Sequence, residues 1–154
     1  MTAPKRTATI RWLNFPPGGA PRLSVGSHSI APVLSLNSDP DATSPLATSP
    51  GELLAGAIGS ALAWFVAERL VDEGTQAHEL VTYVTLTFSG QAGGSDAVLT
   101  GVVCELSGRV ANVEEPHLDA VAKAAMTECR EALGMRTEGI AVTVGASLAS
   151  GDQS

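Results

Sequence analysis

The sequence predicts an α+β domain, and three features predict it. A run from Leu53 to Ala67 is apolar throughout and carries helix punctuation at both ends. Residues 6–13, 80–89, 97–108 and 138–148 carry the apolar patterning of half-buried strands. The chain has 154 residues, 44% hydrophobic and 4% aromatic, so its core is built from Ala, Val, Leu and Ile, which let helix and sheet approach closely. This length fits one domain over 1–154, with a long loop at about 37–49 and a tail at 149–154.

In the first strand, Ala8, Ile10 and Trp12 alternate with Thr7, Thr9 and Arg11. The Pro16-Pro17-Gly18-Gly19-Ala20-Pro21 stretch is a loop. Two short strands follow near 22–27 and 29–36. The Pro-, Ser-, Asp- and Thr-rich stretch from Asn37 to Ser49 is a loop long enough to suggest a functional role.

The first helix is expected at about 50–71. Ser49 suits the N-cap, Pro50 the first helical position and Glu52 the capping box, and Gly74 suits C′. A helix apolar on all sides is expected to be covered on all sides. Its 15-residue apolar run, with Gly and Ser inside, is short for a membrane span.

The strands at about 80–89 and 97–108 are joined by a hairpin loop at Gly90 to Asp96, and the second is expected to place Val98, Val102, Cys104 and Leu106 on one face. A second helix at about 115–133 has Pro116 in its first turn, Gly134 after its end, and an apolar stripe through Leu118, Val121, Ala122, Ala125, Cys129, Ala132 and Leu133. The last strand alternates Ile140, Val142, Val144, Ala146 and Leu148. The expected order is βββ-α-ββ-α-β.

Net charge is −7, and the nine basic residues are scattered, which argues against nucleic acid and against an anionic membrane surface as partner. The N-terminus lacks the apolar core of a secretory signal, and two cysteines make no disulfide framework, so a cytoplasmic protein with reduced thiols is expected. His28, His78 and His117 are isolated, there is no glycine-rich phosphate loop, and neither metal nor cofactor is expected. Ser60 lacks a nucleophile-elbow pattern and is expected to bond its own helix backbone. Cys129 is the best chemical candidate, although its place near a helix C-terminus opposes a thiolate. Cys104, on an apolar strand face, is expected to be structural.

The stretch Thr48-Ser49-Pro50-Gly51-Glu52-Leu53-Leu54-Ala55-Gly56-Ala57-Ile58-Gly59-Ser60-Ala61-Leu62 resembles the start of the first core helix of the OsmC/Ohr family, whose members typically carry T-N-P-E-x-L-F/I-A-A-x-x-A-A-C-F. Leu118 to Leu133 resembles that family's second core helix, which ends in C-P-x-S. The βββ-α-ββ-α-β order is similar too.

The resemblance implies an OsmC-like fold, with two long core helices against antiparallel sheets in an intertwined homodimer. It also implies an organic hydroperoxide reductase in which a peroxidatic cysteine on the first helix attacks the peroxide and a resolving cysteine on the second forms a disulfide with it. An arginine and a glutamate hold thiolate and peroxide, and the dimer interface forms an apolar substrate pocket.

Carried over residue by residue, the peroxidatic position falls on Ala61, or on Ser60 one place earlier. The resolving position falls on Cys129, followed by Arg130 instead of proline. The glutamate position falls on Gly51, with Glu52 about 100° further round the helix. The arginine position falls on Arg22. The leading expectation is therefore a homodimer without the two-cysteine cycle that keeps an apolar interface pocket for a small apolar or hydroperoxide ligand. Alternatives are a one-cysteine hydroperoxide reductase using Cys129, aided by Arg22, Arg130 or Arg136, and a Cys104–Cys129 redox pair.

Overall fold

The computed structural model describes residues 5–13, 22–25, 50–90 and 98–150. The elements in chain order are β1 (Lys5–Leu13), β2 (Arg22–Val25), α1 (Pro50–Asp72), β3 (Ala77–Ser89), β4 (Val98–Val110), α2 (Glu115–Ala132) and β5 (Ala141–Leu148). The chain is thus α+β, with two helices and a mixed sheet ordered β2-β1-β3-β4-β5. The strand expected near 29–36, the loop at 37–49, Ser49 of the capping box, His28, the hairpin residues 91–97 and the tail from 151 lie outside the described residues.

β1, β3 and β4 pair antiparallel, while β5 runs parallel to β4. The expectation of antiparallel sheets is corrected at this last pair. The cause is the connection: α2 carries the chain back across the sheet, as a parallel pairing requires. Ala8, Val84, Cys104 and Val144 form one cross-strand row. Their side of the sheet is the helix side, where Ile10, Leu80, Leu86, Val102 and Leu106 are buried. The opposite side is largely exposed, with Tyr83 and Val103 among its apolar members.

α1 lies over β1 and β3, and α2 over β5 and against α1. Small residues set the α1 spacing. A Cβ on Gly59 would stand 2.3 Å from Ile10 Cδ1 and 2.9 Å from Val84 Cγ2, so the helix backbone sits directly on the sheet's side chains. Ala55, Ile58, Leu62, Val66 and Leu70 are the buried face of α1. Leu118, Val121, Ala122, Ala125, Met126 and Cys129 are that of α2. Gly74 and Gly134 end the two helices at φ 81° and 61°, the left-handed geometry that favours glycine.

Three burial expectations are corrected. Ala132 and Leu133, placed on the apolar stripe of α2, are exposed, because the helix ends there and the buried face stops at Cys129. Val98, placed on the buried face, is 60% exposed, because it pairs with Ser89 at the very end of the β3–β4 ladder. Nor is α1 covered on every side. Leu53, Leu54, Trp64 and Val71 are exposed at 43%, 43%, 51% and 55%. One sheet and one neighbouring helix cover only part of its circumference. By length and composition alone, Gly51–Asp72 would also suit a membrane span, with a mean hydropathy of 1.4, but half of it is buried within the fold.

The last strand begins at Ala141 and not near 138. A turn closes first, with Ile140 N–H donating to Thr137 O and Gly139 at φ 78°.

Candidate functional site

Cys129 lies in the last turns of α2, on the side facing α1 and the sheet, and is fully buried. Its thiol donates weakly to the Ile58 carbonyl of α1, Sγ···O 3.9 Å. Cys104 is fully buried on β4. Both are free thiols. Burial pushes the Cys104 thiol up to about 12, and charge on Cys129 would push it the same way. Burial also raises Cys129. Removing a thiolate from water costs free energy, and no cation is among the causes acting on either group to offset that cost. Both are therefore neutral thiols near pH 7, with the character of small core hydrophobes.

Of the three arginines named with Cys129, the side chains of Arg130 and Arg136 are described. Arg130 donates to Thr137 Oγ1. Arg69 pairs with Glu128, tying α1 to α2. Arg136 is exposed. Arg22 begins β2, its backbone opposite Leu13, and its side chain is outside the described residues.

Ala61 and Ser60 lie half-buried along the outer side of α1, between exposed Ala57 and exposed Trp64. The Ser60 hydroxyl donates to Gly56 O at 2.6 Å, the local back-bond expected of a helical serine. Gly51 and Glu52 are half-buried in the first turn, and Glu52 is engaged in an interaction there. The Ala61 outer face and the buried Cys129 thus lie on different sides of α1, because Ile58, which meets Cys129, is on the inner side.

Sequence reasoning missed this outer face. Leu53, Leu54, Ala57, Ala61, Trp64 and Val71 recur at helical spacing, but the inner face is equally apolar, so periodicity gave no contrast. It also missed two carboxylates of α2. Glu115 and Asp119 accept backbone N–H bonds from Leu148 and Ala146 of β5. His117 pairs with Glu73 across the α1–α2 end at 2.6 Å.

Among the described residues no group of three His, Cys, Asp or Glu side chains converges to hold a metal. Two open depressions lie at the end of α1. One touches Val71, Thr75, His78 and Ala111, the other Glu68, Arg69, Asp72, Glu73 and Glu128. Neither includes Ala61 or Cys129.

Compared with known proteins, the chain matches no family model and no curated protein.

Proposed function

We propose that this chain is an OsmC-like, cytoplasmic homodimer that lacks the two-cysteine peroxidase cycle and binds a small apolar molecule where the outer faces of two α1 helices meet. The observation that carries this reading is the apolar outer face of α1, with Ala61 at its middle and Leu54, Trp64 and Val71 exposed around it. Apolar side chains exposed together at Leu53, Leu54, Ala57 and Trp64, before Glu68 brings charge to this face, favour an interaction or ligand surface. A methyl group at position 61 and a hydroxyl already bonded at position 60 offer no thiol chemistry there.

The one-cysteine alternative requires Cys129 to reach a hydroperoxide as a thiolate. Full burial and an upward-shifted thiol weigh against it.

Sedimentation of wild type and Trp64→Glu tests the pairing, and fluorescence of 1-anilinonaphthalene-8-sulfonate tests the apolar site. The reading expects wild type to bind the dye, and Trp64→Glu to lose dye binding and to form smaller species than wild type at the same concentration. A wild-type monomer would overturn the pairing. Turnover of cumene hydroperoxide with dithiothreitol that disappears in Cys129→Ser would establish the one-cysteine enzyme instead.

A further inference from the structure

Among the described residues β5 is an edge strand, and its backbone is closed along only part of its length. Ala149 N–H, just past its end, donates inward to Gly108 O of β4 at 2.8 Å. Strand alternation then turns the even-numbered groups outward. Two contacts agree. Ala146 N–H donates to Asp119 Oδ1 at 3.0 Å, and Leu148 N–H to Glu115 Oε2 at 3.1 Å. α2 thus blunts the end of the edge with carboxylates. On the other side, Ile140 N–H is closed by Thr137 O at 3.0 Å. Between these closed positions, Val142 and Val144 present outward N–H and C=O groups with no such cap among the described residues.

We propose that this open stretch pairs antiparallel with the same stretch of a second copy, about a two-fold axis through Thr143. In that register Val142 lies opposite Val144 of the second copy, and the reverse, and each pair exchanges both backbone bonds, about four in all. Thr143 meets its own counterpart at the close, non-hydrogen-bonded position, where Thr–Thr pairs are favourable. Its side chain is exposed, and a side chain on Gly145 would meet nothing within 4 Å, so the sheet face beside the axis has room for the paired Thr143 side chains.

Neighbouring registers are blocked. An axis through Val144 or Gly145 needs the Ala146 N–H that Asp119 holds, and an axis through Val142 or Ala141 needs the Ile140 N–H that Thr137 holds. Residues 141–145 carry no charge, so no like charges oppose each other. An occupant pairing through backbone groups must be an extended strand, and the two-fold copy satisfies every open group with itself. This surface is separate from α1 and does not depend on the pairing proposed there.

Val144→Pro removes one outward donor and no bond of the internal ladder, a change that edge strands tolerate. Thr143→Lys places like charges at the axis. Both are made in wild type and in Trp64→Glu, which isolates this contact from any pairing through α1. Sedimentation across protein concentration is expected to show self-association in the Trp64→Glu background. Each β5 variant should weaken it at least roughly tenfold, Val144→Pro by loss of its hydrogen bonds and Thr143→Lys by like charges facing each other at the axis. Circular dichroism should stay unchanged, and Val142 and Val144 amide protection should rise with concentration.

The proposal is overturned if Trp64→Glu shows no self-association that Thr143→Lys weakens. It is also overturned if the two amides are protected equally at all concentrations, which would mean that the chain's own residues cover this edge. Failure of Val144→Pro to fold would point the same way, since that N–H would then serve the fold itself.

Discussion

The two helices solve the same packing problem and finish differently on the outside. α2 buries Leu118, Val121, Ala122, Ala125 and Cys129, and gives its other sides to Asp119, Lys123, Glu128 and Glu131. Those charged groups are used: Lys123 holds Asp119 at 2.6 Å, and Asp119 caps β5. α1 buries an equally apolar face, but its outer side is Leu53, Leu54, Ala57, Ala61 and Trp64. Water completes α2, whereas α1 is left with apolar surface that association would remove. The difference shows that an apolar helix is not by that fact an interior one, since a sheet and one neighbour cover only some of its sides.

The largest test contrasts the two sides of α1. Leu62→Ala, at 0% exposure, is expected to lower unfolding stability by about 3 kcal/mol, while Leu54→Ala costs under about 1. Denaturant titration at a concentration where the chain is monomeric measures both, and similar losses would mean that the outer face is packed.

Next comes the contact that fixes the helix on the sheet. Gly59→Ala gains up to about 1 kcal/mol of helix propensity yet is expected to lose about 1–2 net, because the methyl overlaps Ile10 and Val84. Ile10→Val in the same chain should recover part of the loss, and thermal unfolding of the single and double variants reads it.

A smaller effect concerns the buried thiols. Their acidity is suppressed only in the folded chain, so the folded state holds its protons more tightly above the ordinary value of 9.0. Stability is complete below pH 9 and declines as pH rises from 9 towards about 12. Cys104→Ala should flatten that decline in urea titrations at pH 8, 9 and 10, whatever it does to the baseline.

The smallest test is on α2. The Lys123 ammonium, foremost, and the Ala146 N–H hold the Asp119 carboxyl below its ordinary 3.8. Its contribution is present above pH 3.8 and is lost as pH falls through the lower folded value. Asp119→Asn should remove that part of the acid dependence, compared with wild type between pH 2 and 5.

Much of the architecture was legible because punctuation and periodicity coincide. Gly74 and Gly134 mark both helix ends at positive φ, and the alternation over β1 and β5 locates both strands. The α2 stripe was legible for the same reason, since charged residues outline it. The outer face of α1 was not, because burial is visible in a sequence only through contrast. Nor was the direction of β5: local patterning says that a strand exists, while its neighbour is chosen by where α2 lands. At the candidate site, the Ser60 back-bond and the buried setting of Cys104 follow from residue type and place. The role of Asp119 and Glu115 could not be read, because it joins residues 27 and 33 positions apart.

Gly59 has a practical consequence. With the helix backbone seated on Ile10 and Val84, α1 has little room to roll, so position 61 keeps a fixed orientation. The two native thiols are sealed in the core. The wild-type chain is therefore a quiet background for labelling: Ala61→Cys would present a single addressable thiol to a maleimide spin label or fluorophore. The label would stand on the apolar outer face of α1, beside Ala57 and Trp64, and report directly on what meets that face.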